Sequence, residues 1–358
     1  MTTDGSGARS EGRLLDLRRL ARPIVQAPMA GGPSTPALAA AVGEAGGLGF
    51  LAAGYLSPER FEADIVATRE LTRAPFGVNL FVPAPSVATR AALDAYRAEL
   101  APEAARYGVE VGQARPDDDG WEAKLEIVER LRPAFVSFTF GSPTGAVVER
   151  MHAAAVAVAV TVTSAEEARE ALAAGTDALV VQGPDAGGHR GTFDPSATPP
   201  GEPLPELLAE VARVVQEREV AAVAVVAAGG ISTREQVTAL LAAGADAVQL
   251  GTMFLLADES GTRAAHAAAL HDPRFSRTAV TAAFSGRYAR GLVNRFIRDH
   301  DGTAPLGYPE VNQLTSPLRA AAAAAGDADG ISLWAGMGFG AAFAAPAAAI
   351  VERLSSVD

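Results

Sequence analysis

The chain has 358 residues, of which 49% are hydrophobic and 6% aromatic, and its formal net charge is −12. This length allows one large domain or two, with a core that needs no covalent cross-links. The chain contains no cysteine, which excludes disulfides, cysteine-ligated zinc, iron–sulfur clusters and a thiol nucleophile. The strong negative charge makes nucleic acid and anionic membranes poor partners.

The first ten residues and the alanine-rich segments bear on location. Met1–Ser10 is polar and has no apolar stretch typical of a signal peptide. Ala320–Ala325 and Ala341–Ala349 are apolar but too short to cross a bilayer. The sequence therefore predicts a cytoplasmic protein without a membrane partner, either a monomer or a homodimer.

Strand and helix patterns alternate after residues 1–20, which are predicted to form a mobile N-terminal leader with a short amphipathic piece. The predicted strands are Ile24–Ala27, Gly47–Ala52, Phe76–Phe81, Ala134–Phe140, Ala157–Thr163, Ala178–Gln182, Val223–Ala228 and Ala247–Leu250. Helix-capping boxes are predicted at Ser164 and Ser232, each with a glutamate three residues later. Eight strand–helix units predict an α/β fold, a (β/α)8 TIM barrel over residues 21–262.

A doubly wound open sheet is the alternative fold. It would place a GxGxxG phosphate loop after the first strand, and Gln26–Gly32 has no such pattern. Glycines instead follow strands seven and eight, at Gly229-Gly230 and Gly251-Thr252, where TIM barrels usually bind phosphate. This placement favours the barrel.

The remaining segments do not fit the alternation. Residues 263–329 are predicted to form a small, mainly helical subdomain inserted after strand eight on the substrate side, and residues 330–358 to close the barrel. Arg90–Gly120 is predicted to be a solvated excursion, and Lys124, the only lysine, a solvated side chain. A Schiff-base mechanism therefore has almost no candidate. Gly336, Gly338 and Gly340 are predicted to be simple turn glycines.

The loop from Gly183 to Gly191 carries the strongest functional signal. It follows a predicted buried strand and holds four glycines and His189. Glycines leave the backbone open to a flat ligand, and an imidazole in a wet loop can accept a proton near neutral pH. We interpret His189 as a catalytic base; the alternative is a turn with an incidental histidine.

Neutral amides and glycines cluster at the predicted strand ends and suit FMN better than a sugar phosphate, which would attract more charged side chains. The predicted cofactor-binding residues are Ala27, Pro28, Met29, Asn79, Gln182, Gly187, Gly188, Gly229, Gly230, Gln249, Leu250, Gly251 and Thr252. Ser137 and Thr163 are expected to be ordinary strand-end polar groups.

Ten stretches together resemble the bacterial nitronate monooxygenases, formerly called 2-nitropropane dioxygenases. They are Gln26–Gly32, Leu48–Tyr55, Phe76–Phe81, Ser137–Gly141, Val181–Gly191, Ala227–Ile231, Gln249–Phe254, Phe284–Leu292, Tyr308–Arg319 and Leu333–Gly338. The resemblance implies a barrel that binds FMN and oxidises alkyl nitronates with O2 to carbonyl compounds and nitrite. It implies that His189 is the base and that FMN contacts Met29, Asn79, Gln182, Gly187, Gly230, Gln249, Gly251 and Thr252.

Two residues depart from the family pattern. The family usually has Glu at the position of Asp185 and Gln at that of Met337. We expect Met337 to replace a polar neighbour of the flavin region with an apolar one, which affects substrate preference more than FMN binding.

The substrate decides what the site must do. A nitronate can give up an electron without a base, whereas a neutral nitroalkane must first lose its α-proton, for which His189 is the candidate. Arg190 is predicted either to hold the nitro oxygens or to face solvent. Tyr308 and Trp334 are further candidates at the substrate mouth, and packing is the alternative for Tyr308. The other histidines, His152, His266, His271 and His300, are assigned surface roles.

No paired-histidine or carboxylate–histidine spacing occurs at a strand end, so no metal site is predicted. Two other functions remain open: a flavin-dependent enoyl-thioester (enoyl-ACP) reductase that uses NAD(P)H, and an FMN-binding protein without turnover. A dehydrogenase of the IMP type is excluded because it needs a cysteine.

Overall fold

The structure, a computed structural model, describes residues 14–218 and 223–355. Its strands are β1 (Ile24–Gln26), β2 (Gly49–Ala52), β3 (Phe76–Phe81), β4 (Phe135–Thr139), β5 (Ala157–Val162), β6 (Ala178–Gln182), β7 (Gly188–His189), β8 (Ala224–Ala228), β9 (Ala247–Leu250), β10 (Thr278–Thr281) and β11 (Ala289–Leu292). Its α-helices are α1 (Pro36–Glu44), α2 (Pro58–Leu71), α3 (Arg90–Glu99), α4 (Ala101–Arg106), α5 (Trp121–Leu131), α6 (Gly145–Ala153), α7 (Ala165–Ala174), α8 (Leu204–Glu217), α9 (Arg234–Ala242), α10 (Ala264–Ala269), α11 (Arg295–His300), α12 (Glu310–Ala324) and α13 (Ala347–Ser355).

Eight parallel strands form a nearly closed barrel in the order β1-β9-β8-β6-β5-β4-β3-β2. The two ends of this sheet meet through a bridge between Val25 and Leu48. There the Gln26 N–H donates to the Leu48 carbonyl at 2.9 Å, and the Leu48 N–H donates to the Ile24 carbonyl at 2.9 Å. The TIM-barrel prediction is confirmed, and each of the eight predicted strands is present.

Side chains alternate between two cores along each strand, as a period of two requires. On β6, Ala178 and Val180 face the barrel interior, whereas Leu179 and Val181 pack against the surrounding helices. Small residues dominate the interior because eight strands leave space for few large side chains.

The helix starts follow the predicted capping chemistry with one shift. Ser164 accepts from the Glu167 N–H at 3.2 Å, as predicted. At α9 the cap is Thr233 rather than Ser232: Thr233 accepts from the Gln236 N–H at 3.3 Å, and the Gln236 side chain accepts from the Thr233 N–H at 3.1 Å. Glutamine completes a capping box as well as glutamate does, which explains the one-residue error.

The predicted leader is partly an element of the barrel. Leu17 is 4% exposed and packs against the interior cluster, with Leu14, Leu15 and Leu20 beside it. Residues 14–20 are therefore not a mobile segment, whereas residues 1–13 lie outside the described part of the chain.

The barrel mouth is covered by segments from two parts of the chain. A small antiparallel sheet, β10-β11-β7, joins the loop of His189 to the region after strand eight. Tyr96 of α3 is buried with Phe296 and Leu318, so the prediction of a solvated excursion over Arg90–Gly120 was wrong. The region 263–329 is not helical alone, since it supplies β10 and β11; its boundaries as a subdomain stay a prediction.

The sequence also predicted the wrong environment for Lys124. It is 1% exposed, donates to the Ala53 carbonyl at 3.0 Å and pairs with Asp119 at 2.8 Å. The prediction of a solvated lysine was wrong because the carboxylate of Asp119, in the loop just before α5, compensates the buried charge. Among the helices of the described chain, none combines the length and apolar character needed to cross a membrane.

Candidate active site

A cavity of about 500 Å³ lies at the carboxyl ends of the barrel strands, beneath the cover of α12 and the three-stranded sheet. Its volume is in the range of sites that bind cofactors. Among its lining residues are Ala27, Pro28, Met29, Asn79, Gln182, Gly187, Gly188, His189, Gly229, Gly230, Gln249, Leu250, Gly251, Thr252 and Trp334. The structure thus brings every predicted cofactor-binding residue to one cavity, together with His189 and Trp334.

Glycine backbone forms one end of this cavity. Gly229 and Gly230 have φ values of +108° and +73°, a conformation that favours glycine. A Cβ at Gly230 would lie 2.6 Å from the Asp185 Cβ, so the close approach also requires glycine. No hydrogen bond within the described chain uses the N–H of either glycine. Such amides can bind a phosphate.

A further glycine loop completes this end of the cavity. Gly336 and Gly338 line it, and the Gly336 N–H donates to the Thr252 hydroxyl at 3.0 Å. A Cβ at Gly338 would lie 2.5 Å from the Ser232 hydroxyl oxygen. Tertiary contacts thus constrain Gly336 and Gly338, whereas a Cβ at Gly340 would meet nothing within 4 Å; the interpretation of the three as turn glycines stays a prediction.

Amide side chains also line the cavity. The Asn79 amide nitrogen donates to the Ser137 hydroxyl at 3.0 Å and to the Thr139 hydroxyl at 3.1 Å. This fixes the amide orientation and leaves its oxygen as an acceptor. Gln249 lines the cavity and forms no side-chain hydrogen bond within the described residues. Ser137, expected to be an ordinary polar group, therefore positions Asn79.

Gln182 shapes the histidine loop instead of pointing a free amide at a ligand. Its amide nitrogen donates to the His189 carbonyl at 3.0 Å, and its oxygen accepts from the Gly191 N–H at 2.9 Å. Two hydrogen bonds from one side chain hold the loop against the end of β6.

His189 lies on β7, where it pairs with Ala289 of β11. Its Nε2 is 2.8 Å from the Ser285 hydroxyl oxygen, and this hydroxyl donates its hydrogen to the Arg287 carbonyl at 3.2 Å. Because a hydroxyl has one hydrogen, Ser285 accepts from His189, which places the imidazole proton on Nε2. The Nδ1 atom is then the basic nitrogen, and no hydrogen bond within the described residues occupies it.

The His189 environment is drier than the sequence suggested. The ring contacts Phe140, Tyr308 and Trp334, with centroid distances of 5.6, 6.2 and 5.5 Å. Burial, with smaller contributions from the charges of Arg287 and Arg319, lowers the pKa of His189 to about 3. The imidazole is therefore neutral at ordinary pH.

Two of the predicted substrate residues do not reach the cavity. Arg190 is 2% exposed, and its guanidinium donates to the Gly183 carbonyl at 2.9 Å and the Pro200 carbonyl at 3.3 Å. It follows His189 in an extended segment and so faces the opposite side, which makes it neither a solvent-facing side chain nor a neighbour of the cavity. Tyr308 does not line this cavity, although its ring centroid lies 6.2 Å from that of His189.

The two departures from the family pattern also lie outside the cavity. The Met337 side chain is 55% exposed, and its sulfur accepts from the Thr278 hydroxyl at 3.2 Å. Asp185 is exposed, and its carbonyl accepts from the Met337 N–H at 3.1 Å. Met337 therefore does not line the cavity, and its expected effect on substrate preference stays a prediction.

Two cavity residues carry signals that the sequence reasoning missed. Arg319 donates to Thr315 at 3.1 Å and to the side chain of Asn312 at 2.6 Å, along one face of α12. Thr315 and Asn312 precede Arg319 by four and seven residues, a spacing that places all three side chains on one face of a helix and that the sequence alone could have revealed. His266 is 8% exposed and lines the cavity, so its surface assignment was wrong, as was that of buried His300.

Within the described residues, no group of three or more metal-binding side chains could hold a metal ion. A neutral imidazole beside a glycine-lined cavity at the strand ends is the arrangement of a (β/α)8-barrel enzyme.

Comparisons with known proteins specify the family. A family model described as nitronate monooxygenase matches residues 14–356. A nitronate monooxygenase of Pseudomonas aeruginosa is 42% identical over 352 residues, covering 96% of this chain and 97% of that protein. A probable nitronate monooxygenase of Staphylococcus aureus is 36% identical over 349 residues, covering 96% of each. The chain belongs to the nitronate monooxygenase family and is an enzyme, as the resemblance predicted.

Two solved structures share the fold of this chain. The crystal structure of nitroalkane oxidase from Streptomyces ansochromogenes has a TM-score of 0.89 and 50% identity, covering 94% of this chain and 96% of that one. FabK from Thermotoga maritima has a TM-score of 0.72 and 25% identity, covering 94% and 93%.

Proposed function

We propose that the enzyme binds FMN without a covalent bond in the strand-end cavity and oxidises alkyl nitronates with O2 to carbonyl compounds and nitrite. The observation that carries the proposal is the neutral imidazole of His189, with a free Nδ1, in the wall of a glycine-lined cavity of about 500 Å³. The names of the relatives, which refer to nitronates and nitroalkanes, support the substrate class.

The cavity residues fit FMN. The amides of Gly229 and Gly230, with the neighbouring loop of Gly336 and Gly338, would hold the phosphate. The oxygen of Asn79 and the free amide of Gln249 would hydrogen-bond the polar edge of the heterocycle. When bound, FMN would supply the electron-accepting chemistry of the reaction.

The protonation state of His189 favours nitronates over neutral nitroalkanes. A base whose pKa has fallen to about 3 removes a carbon-bound proton with little driving force. A nitronate has already lost that proton, and its negative charge suits a cavity lined by Arg319 and Arg263. For a neutral nitroalkane, His189 Nδ1 would take the α-proton while Ser285 holds the ring.

A substitution separates these roles. In His189→Ala, kcat/KM for neutral nitroalkanes should fall by about 10²-fold, the lower end of the usual contribution of a general base, because the pKa of His189 is low. The value for pre-formed nitronates should fall by less than about tenfold, because no proton has to leave. Bound FMN, measured by absorbance, should be retained, and His271→Ala, at an exposed site, is the matched control.

Three results would contradict parts of this proposal. Equal losses on both substrate forms would make His189 an orienting group. Loss of FMN would make it a structural part of the loop. Rapid flavin reduction by NADH in a stopped-flow experiment, with no nitrite from any nitronate in air, would favour an enoyl-thioester reductase.

A further inference from the structure

A second cavity of about 450 Å³ lies outside the first, between the loops that follow β2, β3 and β4 and the start of α12. Tyr55, Phe81 and Phe140 line both cavities, and Tyr308 lines the outer one. These four rings contact one another, with centroid distances of 4.6 to 6.4 Å. We call them the aromatic wall. Three of these rings line both cavities, so the aromatic wall lies where the two cavities adjoin.

The backbone of the aromatic wall is strained at two positions. Tyr55 has a φ of +69° and Phe140 a φ of +78°. A bulky side chain at positive φ is an outlier that costs on the order of 1–3 kcal/mol and persists only where the surroundings hold it. Two such residues in the aromatic wall indicate that surrounding contacts stabilise its backbone conformation.

A buried ion pair holds the first of these positions. The Tyr55 N–H donates to one carboxylate oxygen of Asp119 at 3.0 Å. The other oxygen of Asp119 pairs with Lys124 at 2.8 Å, and Lys124 also donates to the Ala53 carbonyl at 3.0 Å. The backbone on both sides of Gly54 is thereby tied to one buried charge pair, which explains how Tyr55 keeps its conformation.

Side-chain contacts hold the rest of the aromatic wall. The Arg287 guanidinium lies 4.0 Å above the Phe140 ring, a cation–π contact that is stronger away from water. Ring packing holds the other side chains, with Phe81 4.6 Å from Phe140 and Tyr308 5.5 Å from Phe140 between ring centroids.

We propose that the aromatic wall sets an upper limit on the alkyl group of the substrate, and that Tyr55 is the residue that decides it. The inference rests on the proposed function. His189 lies 5.6 Å from Phe140 and 6.2 Å from Tyr308, measured between ring centroids. A carbon atom that reacts beside His189 therefore points its substituents at this wall. Short chains fit in front of it, and longer chains need the outer cavity.

Tyr55→Gly tests the limit with little risk to folding. Glycine accepts a φ of +69° without strain and keeps the N–H that Asp119 binds, while the ring is lost. The ratio of kcat/KM for the nitronate of 1-nitrooctane to that for the nitronate of nitroethane should rise at least about tenfold, the discrimination that one methylene position can give in an apolar pocket.

Two control variants isolate the ring. Tyr55→Phe keeps the ring and loses the hydroxyl, so its ratio should stay within about twofold of the wild-type value. Arg132→Gly relieves a φ of +49° at the end of α5, away from both cavities, and should leave the ratio unchanged. An unchanged ratio in Tyr55→Gly, or an equal rise in Tyr55→Phe, would overturn the proposal.

Equilibrium binding distinguishes a failure of this proposal from a failure of the proposed function. Trp334 lines the inner cavity, so quenching of tryptophan fluorescence reports nitroethane and 1-nitrooctane without turnover. If wild-type protein oxidises neither nitronate, the proposed function fails. The wall is still supported if Tyr55→Gly lowers the Kd of 1-nitrooctane relative to nitroethane about tenfold or more, and overturned if it does not.

Discussion

Two histidines face the cavity, and burial lowers the pKa of each. The pKa of His189 falls to about 3 and that of His266 to about 4. The Nε2 of His189 is bonded to Ser285, whereas that of His266 has no partner in the described part of the chain. Both are neutral when the chain is folded, yet both take up a proton below about pH 6.5 when it is unfolded.

The pKa of His266 is lower in the folded chain than in the unfolded chain, and this difference predicts that acid destabilises the protein. The unfolded state binds more protons between pH 6.5 and about 4, so stability is lost as the pH falls through this window. In His266→Asn the fall in unfolding free energy should be shallower by up to about 1.4 kcal/mol per pH unit. Urea denaturation at several pH values measures it, with exposed His271→Asn as control. Equal slopes in wild type and His266→Asn would contradict the low pKa.

Neighbouring residues in sequence proved to have opposite positions in space. Residue types alone cannot separate the roles of His189 and Arg190, but an extended backbone points successive side chains to opposite sides. Once β7 is known, the inward position of His189 implies the outward position of Arg190. The sequence could not predict β7, because a strand of two residues has no pattern and depends on pairing with Ala289 and Arg290.

Glycine loops at the ends of β8 and β9 were the elements that local sequence predicted best. Their position after strands seven and eight of a barrel is a property of the fold class. The contribution of Gly336 and Gly338 was not predictable in the same way, because only tertiary packing brings their loop to Thr252 and Ser232.

A pair of glycine variants tests the phosphate cradle. Gly230 and Gly244 both have positive φ, +73° and +103°, so alanine should destabilise the protein by about 1–2 kcal/mol at either site. Only at Gly230 does the added Cβ meet a neighbour, and Gly244 has none within 4 Å. Gly230→Ala should therefore weaken FMN at least about tenfold, or ~1.4 kcal/mol, and Gly244→Ala should not. Equal FMN affinities by titration would remove Gly230 from the cradle.

At the scale of the whole molecule, the barrel was predictable and its cover was not. Each barrel strand carries its own apolar run and turn signals, so eight local patterns sufficed. The cover depends on contacts between segments distant in the chain, such as Tyr96 with the Ala283 carbonyl at 2.7 Å. No local pattern in Arg90–Gly120 reports such a partner, and an acidic run at its end suggested solvent.

Because Lys124, the chain's only lysine, is buried, its reactivity reports how often the loop that carries Tyr55 opens. Acylating reagents attack an uncharged, accessible amine, and this one is 1% exposed and paired with Asp119. If exposing it costs about 4 kcal/mol, as breaking a buried ion pair does, acylation should be ~10³-fold slower than in denaturant. Mass spectrometry of the peptide that contains Lys124 measures the acylation rate. Lys124 should react faster in Asp119→Asn, because that variant lacks the carboxylate that pairs with it. Similar rates in folded and denatured protein would mean that the loop carrying Tyr55 opens freely.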